Sequence, residues 1–345
     1  MSHNSNWKRL RDGKLDWNLF HVRARILRLI RQFFTERDFL EIEPPLLVPF
    51  PALDANIHSV SVHLDVQGKH RTGFLHTSPE YAMKKLIAGG AERIVYLGKV
   101  FRDDELTLLH NPEFTMLEWY RTDADYDAIM KDTEELIRFL VHNLFGSDRF
   151  VYQNRSIDCS EGFNRITLNE LFRSRCGIDL SENMKKESLT FAAIEKGITV
   201  TTEDDWESIF FKLFLTWIEP HLGVDKPVFV TDYPEKMALM ARRKNSDPHS
   251  VERAELYIHG MELANGYSEL TDPEEQERRF LAELENRSAG FNLSSIDRDF
   301  LDAMKSGLPP CAGMALGVDR LVMLLTDQTD IQNVLLFPAN PLFAD

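Results

Sequence analysis

Cysteine is scarce in this chain: three in 345 residues, Cys159, Cys176 and Cys311, far apart and without a CxxC pair. That spacing argues against a disulfide framework and a cysteine zinc site, and it fits a reducing cytoplasm. Long apolar runs are missing too. No stretch approaches the roughly 20 residues of a membrane span, and the amino-terminal "MSHNSNWKRLRDGKLDW" has no apolar core of signal-peptide length. A cytoplasmic protein without membrane contact is therefore expected. Positive charge is in deficit, 40 Lys plus Arg against 55 Asp plus Glu for a net charge of −15, which argues against a protein living mainly on phosphodiester contacts. Nor is there a Walker A lysine or a GxGxxG run, so neither a P-loop nor a Rossmann nucleotide site is on offer.

What is present describes a soluble globular chain, 43% hydrophobic and 28% charged. After a polar arm, residues 1–20, "LFHVRARILRLIRQFFTERDF" carries Val22, Ile26, Leu29, Ile30 and Phe33 at helical spacing with arginines opposite. The prolines of "FLEIEPPLLVPFP" then favour extended chain. "TSPEYAMKKLIAGG" reads as a helix with Ser78 as N-cap and Pro79 at its first position. "RIVYLGKVF" and "EFTMLEWYR" read as antiparallel strands, and residues 125–146 as a helix stopped by Gly146. The 147–225 stretch is mixed and helix-leaning, and it reads as an insertion within one domain, 21–345. Strands return in "KPVFVTDYP" and "AELYIHGMELANGYSEL", and a charged helix starts near "DPEEQERRF". Consecutive strands without regular helices between them predict an α+β fold built on an antiparallel sheet.

In "HNPEFTMLEWY", residues 110–120, a period of two places Phe114, Met116, Glu118 and Tyr120 on one face and Thr115, Leu117 and Trp119 on the other. The second is a core face. On the first, a carboxylate and a phenol beside an aromatic platform are costly if buried without partners, which a polar ligand would supply; the alternative is a strand with one wet face. Arg102 at a strand end either clamps a phosphate through its rigid fork or pairs at the surface with Asp103, Asp104 or Glu105. Glu262 and Glu269 in "MELANGYSEL" suit magnesium, which takes one or two carboxylates beside phosphate oxygens. Alternation instead separates them, and Asn265-Gly266 is a common hairpin turn. "GMALGVDRL" sets glycines before a helix and Arg320 in its first turn, an arrangement suited to anions.

Together these segments resemble the catalytic domain of class II aminoacyl-tRNA synthetases. "FLEIEPPLL" with Pro45 resembles motif 1, "FRDDE" through "HNPEFTMLEWY" motif 2, and "GMALGVDRL" motif 3. "TSPEYAMKKL" and "ELANGYSEL" look like the lysine branch. The arm 1–20 is too short for the OB-fold anticodon domain of lysyl-tRNA synthetases, so that domain and stable tRNA binding are not expected. "CAGMALGVDRLVML" is similar to the elongation factor P (R)-β-lysine ligases, paralogues that join β-lysine to a lysine side chain of elongation factor P. Ala315 stands where lysyl-tRNA synthetases usually have glycine, and one methyl in a pocket changes discrimination by about 1–3 kcal/mol.

The resemblance implies ATP and Mg2+ as cofactors, β-lysine or lysine as small substrate, elongation factor P as acceptor, and a homodimer through motif 1. It implies that Arg102, Glu262 and Arg320 act in catalysis, Arg102 on the α-phosphate. Phe114 stacks on adenine, with Asp103, Asp104, His110, Asn111, Leu263 and Gly317 completing the ATP pocket. Glu262 and Glu269 hold the metal. Ser78, Pro79, Glu80, Glu118, Tyr120, Asn265, Glu269 and Ala315 surround the amino acid. Two departures stand out: Asp104 shortens the motif 2 acidic pair, and Leu108 and Leu109 replace an arginine the family often supplies. A truncated synthetase charging tRNA with lysine, or a non-catalytic paralogue acting as a binding subunit, stays open as an alternative.

Overall fold

A helix from Trp17 to Thr35 begins where Asp16 accepts the N–H of Asn18 at 2.9 Å, and it buries Leu19, Phe20, Ile26, Ile30, Phe33 and Phe34. Its stripe packs on the sheet, with the Phe34 ring 5.3 Å from that of Trp119. The computed structural model describes residues 5–54, 56–103, 106–160, 162–286 and 296–343. Their contacts gather into two units: Met1–Ala124 with Val151–Gln153 and Glu269–Asp345, and Asp125–Phe150 with Asn154–Ser268.

In the first unit the strands run in the order Leu40–Glu41, Arg93–Phe101, Glu113–Thr122, Cys311–Gly317. The last three are antiparallel, as expected, whereas Leu40–Glu41 pairs parallel with Arg93–Phe101. The long connection between those two allows the crossover that a parallel pair requires. Glu113–Thr122 has a neighbour on each side, and every residue from Thr115 to Tyr120 is buried. The reading of a strand with one wet face is thereby excluded. The helix Glu80–Ala88 packs against Arg298–Lys305, Tyr81 stacking on Phe300 with centroids 4.8 Å apart.

The second unit holds the strands Met261–Ser268, Asp247–Ile258, Val228–Pro234 and Asn164–Thr167 in that order, the last pair parallel. The helix Tyr126–Phe145 is capped by Asp125, whose side chain accepts from Ala128, and by Gly146 at φ 64°. Within 147–225 lie the helices Lys186–Glu195 and Trp206–Trp217. The same stretch also supplies the sheet strand Asn164–Thr167. Trp206, Phe210 and Phe172 stack in its core, with successive centroids 5.4 and 5.0 Å apart.

Candidate active site

Cross-strand register sets Glu118 between Tyr96 on one side and Ala315 on the other. Its carboxylate is 2% exposed and accepts the hydroxyls of Ser78 at 2.7 Å and Tyr120 at 2.9 Å. Ser78 is not the N-cap of its helix. Pro79 holds that place, and Ser78 Oγ, while donating to Glu118, accepts the N–H of Glu80 at 3.1 Å. Tyr120 lies flat on Gly313, where an added Cβ would meet its ring at 2.3 Å. The glycine is what permits that close approach.

Lys84, one turn on from Glu80, is 1% exposed, with its ammonium 2.7 Å from Glu80 Oε1 and in contact with the Glu269 carboxylate. Two carboxylates thus pair with one ammonium, and the Glu118 carboxyl feels its charge. Burial, and then the charge of Glu80, pushes Glu118 up to about 8, against the pull of Ser78, Tyr120 and Lys84. Burial also works against the Lys84 charge, but Glu269 and Glu80 hold it protonated. The cluster remains short of positive charge, and a second ammonium is the ligand its electrostatics favour.

At the other end of the same strand, the Arg102 guanidinium stands 5.2 Å from the centroid of Phe114. Arg320, in the helix Val318–Leu325 that Gly317 caps, reaches His110 Nε2 with Nη2 at 2.6 Å. Desolvation, then Arg320 and Arg102, lowers His110 to about 4. The ring is therefore neutral near pH 7. Arginine has no acceptor, so Nε2 accepts, and Nδ1–H donates to Thr107 Oγ1 at 2.8 Å. An aromatic face beside two guanidinium groups suits a flat base attached to phosphates.

Asn111 is nearby, but its amide is taken by the protein itself, donating to Glu113 O at 2.6 Å and accepting from Ala339 N at 2.8 Å. It shapes the loop. The exposed Asp103 anchors its backbone N–H on His58 O at 2.9 Å, and Asp104 lies outside the described residues.

Glu262, Leu263 and Asn265 ride on Met261–Ser268 in the second unit. The hairpin turn is at His259-Gly260, with φ of 52° and 71°, so Asn265 and Gly266 pair inside the ladder with Glu255 and Ala254. Leu263 is the extra residue of a bulge between the Leu256–Ala264 and Tyr257–Glu262 pairs. Glu262 lies in the second unit and Glu269 in the first, where it pairs with the Lys84 ammonium. Among the described residues no group of three or more His, Cys, Asp or Glu is arranged to hold a metal. Magnesium on a nucleotide asks for less, one or two carboxylates beside phosphate oxygens.

Three supporting residues escaped the sequence reading. Asp319, 2% exposed, accepts Thr115 N–H at 2.7 Å and pairs with Arg23 at 2.6 Å, while Arg23 also donates to Thr115 Oγ1 at 3.0 Å. Lys84 is the third. The available signal was an acid beside Arg320 on the apolar side of its helix.

The profile of the tRNA synthetases class II (D, K and N) matches residues 3–341. The lysine–tRNA ligase of Pelotomaculum thermopropionicum is 37% identical over 326 residues, 93% of this chain and 63% of that protein. That of Moorella thermoacetica is 37% identical over 323 residues, 93% and 65% of the two chains. That of Synechococcus sp. is 39% identical over 321 residues, 92% and 63%. The chain therefore spans a little under two thirds of the length of these relatives.

Proposed function

The chain belongs to the tRNA synthetases class II (D, K and N), and from that premise we propose that it activates a lysine-type diamino acid with ATP and passes the aminoacyl group to an acceptor amine. The observation that carries this reading is the acidic set of Glu80, Glu118 and Glu269, of which only Glu80 and Glu269 pair with the single ammonium of Lys84. An apolar or anionic side chain gains nothing there, whereas an ammonium relieves the excess charge.

In the proposed reaction, the amino-acid carboxylate attacks the α-phosphorus, an O–P bond forms, and the bond to pyrophosphate breaks. Arg102 stabilises charge developing on the phosphoryl oxygens, and Phe114 and Arg320 hold the base and phosphates in line. Bound magnesium would neutralise phosphate charge. Glu262 is its proposed carboxylate ligand, while Glu269 belongs with the amino-acid end. A neutral acceptor amine then attacks the mixed anhydride, forming an amide and releasing AMP and a proton.

The finer reading is that (R)-β-lysine is the amino acid and a lysine side chain of elongation factor P the acceptor, in a homodimer joined through the motif 1 region. Two features support it. Ala315 faces Glu118 across the ladder, so its methyl borders the ammonium cluster. The loop before His110 shows Leu106 and Leu108, 47% and 63% exposed, where a cation would meet a phosphodiester acceptor. A second reading, transfer of lysine to tRNA, is favoured by the lysine–tRNA ligases among the relatives. Labelled amino acid offered with ATP to elongation factor P and to tRNA separates the two. Label on the protein alone supports the ligase; label on tRNA alone overturns it.

A further inference from the structure

We propose that Asn6 and Arg9 are positioning residues for the nucleotide end of the reaction, acting through the C-terminal segment 331–339 on the loop that carries His110. This rests on the function proposed above, and every residue it uses belongs to the first unit. The helix Ile331–Val334 is only four residues long, so its last carbonyls find no partner along the helix. Asn6, itself 2% exposed, supplies one: its Nδ2 donates to Gln332 O at 2.6 Å and to Leu335 O at 2.7 Å. Arg9, one turn on in the helix Asn6–Arg11, donates from Nη1 to Asn6 Oδ1 at 2.9 Å and from Nη2 to Asn333 Oδ1 at 3.0 Å. The guanidinium fork thus ties the capping amide to the helix it caps.

The capped helix is what the nucleotide loop leans on. Ile331 N–H donates to Leu108 O at 2.8 Å, and Ala339 N–H donates to Asn111 Oδ1 at 2.8 Å, so the segment grips the loop on both sides of His110. Within the loop, Thr107 N–H closes on His110 O at 3.2 Å, and the His110 ring meets Arg320. Leu106 and Leu108 are largely exposed, so the loop has little apolar burial of its own. Such a loop opens easily unless its backbone is tied down. The ties run through the segment 331–339, and Asn6 and Arg9 hold that segment from the far side of the chain. Misplacing His110 and the Arg320 it meets would loosen the nucleotide end and leave the acidic cluster untouched, because Glu80, Glu118 and Glu269 make no contact with these links.

The test measures ATP–pyrophosphate exchange on the full chain carrying Asn6→Ala or Arg9→Ala, well below the Tm of each variant. KM for ATP is expected to rise by about fivefold or more, the scale of one lost hydrogen bond, with KM for lysine changed by less than about twofold. A merely structural loss would lower Tm and the active fraction and leave both KM values alone. Arg9→Lys keeps one donor for Asn333 and should recover part of the effect. Ile331→Pro offers an independent route: position 331 opens its helix, where proline is tolerated, and the change deletes the N–H that grips Leu108. It should also raise KM for ATP, and Asn6→Ala should add less on that background than it does alone, since both act through one link. Unchanged KM for ATP in Asn6→Ala, or an equal rise in KM for ATP and for lysine, overturns the proposal. Wild-type protein that exchanges no pyrophosphate with lysine or (R)-β-lysine overturns the proposed function itself.

Discussion

Glu118 is a carboxyl group held near pH 8 inside a family of acids, and that single fact has measurable consequences. Its ordinary value is 4.5 and its folded value about 8, so between those limits the folded chain binds a proton the unfolded chain has released. Its contribution to stability is complete below about 4.5 and is lost as pH rises through about 8. An ammonium ligand needs the ionised form and so expels that proton. Lysine affinity should therefore rise by up to about tenfold per pH unit between about pH 6 and pH 8 and then level off, as read by calorimetry in buffers of different ionisation enthalpy. In Glu118→Gln that slope should shrink, the remainder belonging to Glu269, which burial also pushes up to about 8; a slope left unchanged would place the titrating group elsewhere. Lys84 gives the complementary test. Replacing it with Met strands Glu269 in the core, a loss of about 3–5 kcal/mol visible as a lower Tm. Combining Lys84→Met with Glu269→Gln should restore much of the loss, because the two residues act as a pair.

Elements carry these side chains into place, and much of their arrangement was readable in the residues. The period of two in residues 113–122 located Glu118 and Tyr120 on one face, and the glycines before Val318 marked the strand-to-helix junction that holds Arg320. What was not readable depended on distant partners. A lysine in "EYAMKK" looks like a solvated helix face until Glu269 is brought beside it. Asn265-Gly266 looks like a turn until His259-Gly260 takes that role with both residues at positive φ. The strand Glu113–Thr122 looks one-sided until neighbours flank it on both edges. Two predictions belong to these junctions. Asp319→Ala unpins the helix Val318–Leu325 from Thr115 and Arg23; it should cost about 1–3 kcal/mol of stability and lower kcat for pyrophosphate exchange by roughly tenfold or more through misplacement of Arg320. Gly313→Ala drives a methyl into the Tyr120 ring, so KM for the amino acid should rise well before KM for ATP does.

Across the whole molecule, the first unit brings an acidic, cation-seeking cluster and an arginine-lined aromatic platform to opposite ends of one buried strand, Glu113–Thr122. The second holds Glu262 and Asn265 on Met261–Ser268. A net charge of −15 sits poorly with a phosphodiester partner held over a broad surface, and the proposed function rests instead on selectivity for an ammonium. That claim is tested most directly by ATP–pyrophosphate exchange with lysine, (R)-β-lysine and norleucine, the last matching lysine in chain length but lacking the side-chain ammonium. Exchange with lysine or β-lysine and none above background with norleucine is the predicted result; exchange with norleucine at a comparable rate, or with none of the three, would contradict it.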